Sequence, residues 1–304
     1  MKLRALLPLV VLLSSSAVSV GAALHRGDIV ISEFFAGHLL VVNPLTGTIT
    51  DLPTNPHYSS DELFQIDSHN QIVILDSSAH LVRMDPVTGN ITALSSTAFS
   101  LPSGLAIAPD GTIWVTGSSG IYKVNPDTQE TTLLPHGSFF SPSEIAVTPN
   151  GNVYIDEFFN GIQHVDPTTG ATTLLDVDVS QTGMTSDSLG NLVILSSNHV
   201  DRLDPNTSIQ TILPGALSSG GKQGIAVGID GNYFVSTNDG VFEVSSATGK
   251  NFNITPIHPS FFSPHNIAVV SVPEASSALM ICLAFGGFAG LLGVKRSSMN
   301  RRNV

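Results

Sequence analysis

Three observations predict an all-β fold built from repeats. Short apolar runs are cut by Asn-Gly, Asp-Gly and Pro-containing turns, the pattern of strands joined by hairpins. The runs recur with a period near 40 residues, and four strands in that length make one propeller blade. No stretch shows the long 3.6-residue periodicity that a helical repeat of this size needs. A chain of 304 residues with this repeat is expected to be one large β domain between two end segments. The expected boundaries are 1 to 23, 24 to 271 and 272 to 304.

Residues 1 to 23 begin with Lys2 and Arg4, continue through an apolar stretch at 5 to 13 and end in small residues, Val20-Gly21-Ala22-Ala23. This is the order of a secretory signal peptide, with cleavage expected near Ala22 or Ala23. The alternative is a retained anchor. Nine residues, however, are too short for a hydrocarbon core that needs about 20.

The register of the repeat is set by an Asn/Asp-Pro pair closing each third strand: Asn43-Pro44, Asp85-Pro86, Asn125-Pro126, Asp166-Pro167 and Asp204-Pro205. A sixth copy ends in Ser245-Ser246. Thr-Gly or its equivalent follows each time (Thr128-Gln129 and Thr207-Ser208 depart from it), and then a fourth strand rich in Thr. Between first and second strands stand the turns Pro109-Asp110-Gly111, Pro149-Asn150-Gly151, Ser188-Leu189-Gly190 and Ile229-Asp230-Gly231, with His69-Asn70 in the same place.

The first and last copies are incomplete in complementary ways. Residues 27 to 33 match a second strand with no first strand before it, whereas residues 264 to 270 match a first strand with nothing after it. Pairing the two closes the ring and removes the open sheet edges that invite aggregation. Six blades result: 264 to 271 with 27 to 53, then 61 to 96, 101 to 135, 141 to 176, 180 to 214 and 221 to 256. Above the repeat lies a second likeness. Phe139-Phe140-Ser141-Pro142-Ser143-Glu144-Ile145 mirrors Phe261-Phe262-Ser263-Pro264-His265-Asn266-Ile267, and Asp156-Glu157-Phe158-Phe159 mirrors Ser32-Glu33-Phe34-Phe35. Both likenesses join the first and fourth blades, which face each other across a six-bladed ring.

Residues 278 to 294 are apolar and uncharged, at the lower limit for a membrane helix. Lys295, Arg296, Arg301 and Arg302 follow within the basic end 295 to 304, and positive charge marks the cytoplasmic side. The central domain is therefore expected outside. Val272-Pro273-Glu274, the apolar span and the basic tail together resemble the PEP-CTERM sorting signal of bacterial exported proteins, departing at Ala275 where that family usually has Pro. The resemblance implies processing by an exosortase-type membrane enzyme. The protein would be anchored in the inner membrane by its C-terminal span, then released to the cell surface or extracellular matrix. A plain single-span anchor is the alternative.

Charge narrows the partners. Residues 24 to 272 carry six basic and twenty-three acidic side chains, a net of −17. Such a surface repels nucleic acid and anionic lipid and suits cations, basic proteins or neutral glycans. The single cysteine, Cys282, allows no internal disulfide. There is no HExxH pair, no Gly-x-Ser-x-Gly elbow and no phosphate-cradling loop, so zinc hydrolysis, serine hydrolysis and nucleotide binding lack support.

Candidate site residues follow from the architecture. Glu144, His265 and Asn266 stand at the start of innermost strands, while Glu33, Asp156 and Glu157 end second strands. Glu33 and Glu157 are candidate ligands for Ca²⁺, Mg²⁺ or Mn²⁺, since oxygen donors with one imidazole suit such ions. Glu144 and Asn266 are candidate binding residues, and His265 is the candidate general acid or base. The alternative is that these acids cap strand ends in solvent. The blades also resemble NHL and virginiamycin B lyase-like propellers, through Pro102-Ser103-Gly104-Leu105-Ala106, Pro109-Asp110-Gly111-Thr112-Ile113-Trp114 and the acids Glu33 and Glu157. That resemblance implies a six-bladed ring and, in the lyases, a metal acting with a His and carboxylates near the channel, a role His265 matches by position. Gly117, Ser196 and Thr237 depart from the acidic pattern. The reading is a binding or scaffold module acting through its channel face; the alternative is a metal-dependent lyase or lactonase-type enzyme.

Overall fold

The computed structural model describes residues 23–33, 38–53, 63–135, 142–157, 160–175, 177, 181–196, 199–215, 217, 222–254 and 264–271. Residues 1 to 22 of the expected leader, the apolar run 278 to 294 and the expected sorting motif Val272-Pro273-Glu274 lie outside these residues. Among the described residues no helix is long and apolar enough to cross a membrane.

The chain opens with β1 (Ile29–Glu33), β2 (Leu39–Val42) and β3 (Ile49–Asp51). Blade 2 holds β4 (Phe64–Ile66), β5 (Ile72–Leu75), β6 (Leu81–Met84) and β7 (Ile91–Ala93). Blade 3 holds β8 (Pro102–Ile107), β9 (Ile113–Gly117), β10 (Gly120–Val124) and β11 (Thr131–Leu133). Blade 4 holds β12 (Pro142–Val147), β13 (Val153–Glu157), β14 (Gly161–Val165) and β15 (Thr172–Leu174). Blade 5 holds β16 (Gln181–Ser186), β17 (Leu192–Ser196), β18 (Val200–Asp204) and β19 (Ile209–Leu213). Blade 6 holds β20 (Lys222–Val227), β21 (Tyr233–Thr237), β22 (Gly240–Val244) and β23 (Asn251–Asn253), and the last strand is β24 (Pro264–Val269).

Every sheet is a four-stranded antiparallel meander, and blade 1 has the order β24-β1-β2-β3. Ile29 pairs with Val269, Val30 with Ala268 and Ile31 with Ile267. The Gly27 amide also donates to the Val270 carbonyl at 2.8 Å. The inner strands touch in a closed circle, β24 to β4, β8, β12, β16, β20 and back to β24. The two half-blades thus meet as the sequence predicts, and the inner circle has no unpaired break.

Second strands are apolar on both faces because each blade is covered on both sides. β5, β9, β13, β17 and β21 are buried at every position, the two-sided burial that gives continuous apolar runs. One apolar cluster fills each of the six interfaces between neighbouring blades. Between blades 3 and 4 it joins Ala106, Trp114 and Ile121 to Ile145, Ile155 and Val165. Between blades 4 and 5 it joins Tyr154 and Ile162 to Met184 and Ile194.

The Asn/Asp-Pro marks have a physical cause. Asp166 Oδ1 accepts the amides of Thr168 and Thr169, both at 2.8 Å. Asn43, Asp85 and Asn125 make the same double bond to their own second and third neighbours. The side chain thereby replaces the partner that the ending strand no longer supplies, and Pro at the next position suits the start of the turn. The turn closes on a residue at positive φ, which is Gly at 47, 89, 170 and 249 but Gln129 and Ser208 in blades 3 and 5, with φ of 59° and 55°.

Candidate functional site

The N-terminal ends of the inner strands form the mouth where the sequence places the candidate residues. Here each described inner strand beginning at 102, 142, 181 and 222 carries a bulge against its second strand. In blade 4 the bulge lets Pro142 pair with Glu157 and Glu144 with Asp156. In blade 1, Glu33 pairs with Pro264 across the corresponding irregularity. Glu33 and Glu157 therefore occupy equivalent backbone positions on opposite blades, as the sequence likeness predicts. The side chains of Glu33 and His265 lie outside the described residues. Asn266 is half-buried, and its backbone amide donates to Ser32 Oγ at 2.9 Å.

Blade 4 gathers the remaining candidates. Asp156, only 6% exposed, accepts the Ser143 hydroxyl at 2.6 Å. Burial pushes the Asp156 carboxyl up, the Ser143 hydrogen bond offsets part of that, and the nearby Glu157 charge adds to it. Glu157, 3% exposed, accepts Asn160 Nδ2 at 2.7 Å and also Gln163 Nε2 on the same oxygen. These two acids are therefore interior groups held by protein donors, not strand caps in solvent. Successive strand residues point to opposite faces, so Asp156 turns with Tyr154 toward blade 5 and Glu157 with Ile155 toward blade 3.

Glu144 differs from both. Its position on the other bulged inner strands is taken by Gly104, Gly183 and Gly224. A Cβ at Gly104 would stand 2.6 Å from Thr116 Oγ1 and 3.0 Å from the Ile145 amide nitrogen, whereas one at Gly183 would meet nothing closer than Ile225 Cγ2 at 3.5 Å, so the position is tight in blade 3 and roomier in blade 5. Glu144 keeps partial exposure, yet dense surrounding protein removes most of the water its charge would need. Burial first, and the Asp156 charge second, push its carboxyl up to about 8. Near neutral pH the group is mostly a protonated acid, able to donate one hydrogen bond and accept others.

Below the mouth a channel cavity of about 270 Å³ is lined by all six inner strands. One equivalent residue per blade faces this zone: Gln65, Ala106, Ala146, Thr185, Ala226 and Ala268. Four of these six are alanine, while Gln65, Thr185, Ser186 and Ser271 give the cavity polar side chains.

The structure adds two acids that the sequence reading left aside. Asp76 follows directly on the second strand of blade 2, where its Oδ1 accepts the amides of Ser78 and His80 at 2.9 Å. Asp201, 1% exposed, accepts the Ser196 hydroxyl and lies 3.1 Å from His199 Nε2. Asp201 pairs with Ile194 as Gln163 pairs with Ile155, so blade 5 exchanges the acid and its donor between second and third strands. Aligning third strands as well as first and second would have exposed this. Among the described residues, no three His, Cys, Asp or Glu side chains form a group that could hold a metal ion.

The ring and its bulged mouth define the class: a six-bladed propeller of four-stranded antiparallel blades. No family model matches the sequence, and no curated protein matches it. Solved structures match by shape. One chain of a nidogen/laminin complex superposes with a TM-score of 0.69 at 16% identity, covering 81% of this chain and 99% of its own. Virginiamycin B lyase from Staphylococcus aureus gives 0.59 at 17% identity, covering 83% and 93%. A streptogramin B lyase gives 0.54 at 15% identity, covering 82% and 89%. At these identities the likeness shows the fold alone.

Proposed function

We propose that this protein is an exported, surface-sorted propeller that binds a partner through its channel mouth and acts as a binding or scaffold module. The observation that carries this reading is the state of the blade 4 acids. Asp156 and Glu157 are already engaged by Ser143, Asn160 and Gln163, an arrangement that stiffens a recognition surface. Export rests on the leader-like residues 1 to 23, and surface sorting on Val272, Pro273 and Glu274 ahead of the apolar span. An exosortase-type enzyme is the implied processing partner, and a glycan or protein the implied ligand.

A second reading is a metal-dependent lyase or lactonase-type enzyme at the same mouth. Its support is Glu144, whose carboxyl is raised to about 8, since a group titrating near neutrality suits general acid or base work. In that reading Glu33 and Glu157 would help hold a Ca²⁺, Mg²⁺ or Mn²⁺ ion, with His265 beside it. Such an ion would polarise a carbonyl or leaving oxygen.

Calorimetric titration of the purified protein with each of the three ions separates the readings. The binding-module reading expects no saturable site below about 1 mM, the range in which site-bound divalent ions are held. Saturable binding that Glu157→Ala abolishes would replace it with the metal enzyme. Mass spectrometry of the surface-exposed protein tests sorting: loss of the C-terminal tail is expected, and an intact Arg302 would overturn it.

A further inference from the structure

A second cavity lies on the other face, at the C-terminal ends of the inner strands. It is a pocket of about 360 Å³ between blades 2 and 3, inside the size range of small-molecule sites. Its walls are the turns that link first to second strands and the Asn125-Pro126-Asp127 turn of blade 3. None of the candidate mouth residues takes part in it.

The pocket is built around Arg83. Asp67, 5% exposed, is locked by the amides of His69 at 2.8 Å and Gln71 at 3.0 Å on its Oδ1. Its other oxygen stands 2.8 Å from Arg83 Nε. Neither of those two atoms meets hydrogen-bond geometry with any partner, so the pair holds by charge. The guanidinium is thus anchored through Nε. Arg83 is half-buried and lines the pocket.

The rim alternates donors with acceptors. Asn125 spends its Oδ1 on the amides of Asp127 and Thr128 at 2.9 and 3.1 Å, which leaves its Nδ2 as a donor. Asp110 and Asp127 supply carboxylates beside it. The Thr112 amide holds the Asp110 carboxyl below the usual carboxylate range, against a smaller opposing effect of burial, so it accepts across the physiological pH range. Ile66, Ile107, Pro109 and Pro126 give the pocket apolar walls.

We infer that this pocket is a second binding site, for a neutral polyhydroxylated ligand such as a hexose unit of a glycan. Each hydroxyl of a sugar both donates and accepts, which is what guanidinium and amide donors interleaved with carboxylates satisfy. The C–H faces of the ring meet the Ile and Pro walls. Anionic ligands are disfavoured by Asp110, Asp127 and the net −17 of residues 24 to 272. Small cations meet a guanidinium at the base. The inference stands apart from the channel-mouth reading, because the two sites lie at opposite ends of the inner strands.

The test is calorimetry and saturation-transfer NMR on the full chain in a non-glycosidic detergent. The probes are methyl glycosides of glucose, galactose and mannose, with sodium acetate and butylamine as charged comparators. Saturable binding of at least one hexoside is expected, weakened at least tenfold by Asp127→Ala and by Arg83→Lys. Asp127 is exposed, so its variant separates ligand contact from folding, and thermal melts check both proteins. Three results would overturn the site: no saturation by any hexoside at about 20 mM, where a 1 mM site would be nearly full; tighter binding of acetate or butylamine; or hexoside binding that neither substitution weakens.

Discussion

Glu144→Gln is expected to stabilise the protein in a pH-dependent way. In the folded protein the Glu144 carboxyl is raised to about 8 from an ordinary value of 4.5. Between those values the unfolded chain releases a proton that the folded chain retains, so stability falls as pH rises. It is retained in full below 4.5 and lost through the window up to about 8. Each pH unit inside the window corresponds to about 1.4 kcal/mol, which sets an upper limit of about 3.5 kcal/mol at pH 7. Partial exposure and coupling to Asp156 reduce this, so about 1–2 kcal/mol is the working expectation. Gln keeps the shape and the hydrogen-bond donor of the protonated acid but does not titrate. Urea unfolding of both proteins at pH 5, 6, 7 and 8 measures the difference. The two stabilities should nearly coincide at pH 5 and diverge by pH 8, with the variant higher. Asp156 titrates in both proteins, so only its coupling to Glu144 enters the comparison. Parallel curves, or a variant that loses ground as pH rises, would refute the argument that burial and Asp156 suppress this charge.

Two further substitutions probe the blade itself. Gly104→Ala places a Cβ 2.6 Å from Thr116 Oγ1 and 3.0 Å from the Ile145 amide nitrogen; a loss of about 1–3 kcal/mol in urea unfolding is expected from such overpacking, and an unchanged midpoint would mean that blades 3 and 4 separate there. Ser208→Gly relieves a non-glycine residue at φ 55° and should gain about 0.5–1 kcal/mol once the greater freedom of glycine in the unfolded chain is subtracted. For a domain of this size that is a rise of about 2 °C in melting temperature, and a fall would show that the Ser208 side chain contributes more than its backbone strain costs.

What could be read from the sequence was whatever repeats. The Asn/Asp-Pro pairs fix the register because one side chain, at Asn43, Asp85, Asn125 and Asp166, satisfies two amides at the end of the third strand. That local chemistry has to recur wherever the backbone makes the same turn. Blade count and ring closure follow from the same register, since a second strand without a first implies a partner elsewhere in the chain. Asn70 shows the limit of the turn pattern: it replaces the usual glycine and still takes φ 56°, so a weak motif hides a regular turn. The acids were harder, because the pattern marks their position and not their surroundings. Glu157 and Asp156 look alike as strand-end carboxylates, yet one faces blade 3 with Asn160 and Gln163 as donors and the other faces blade 5 with Ser143.

Non-repeating residues are where function can differ from blade to blade, and they need the three-dimensional neighbours to be interpreted. Glu144 interrupts a position held by glycine on three other blades, so the space it fills cannot be inferred from its own strand. Arg83 sits in an ordinary third strand, and only the fold brings it beside Asp67 from the turn after the inner strand of the same blade and Asn125 from the next blade. The two ends of the inner strands consequently differ in chemistry. The mouth holds a carboxyl kept protonated by burial, while the opposite face holds a guanidinium kept in place by a buried carboxylate. A propeller can carry both because each blade is stabilised by its own interfaces, so a polar substitution at one rim leaves the apolar clusters between blades intact.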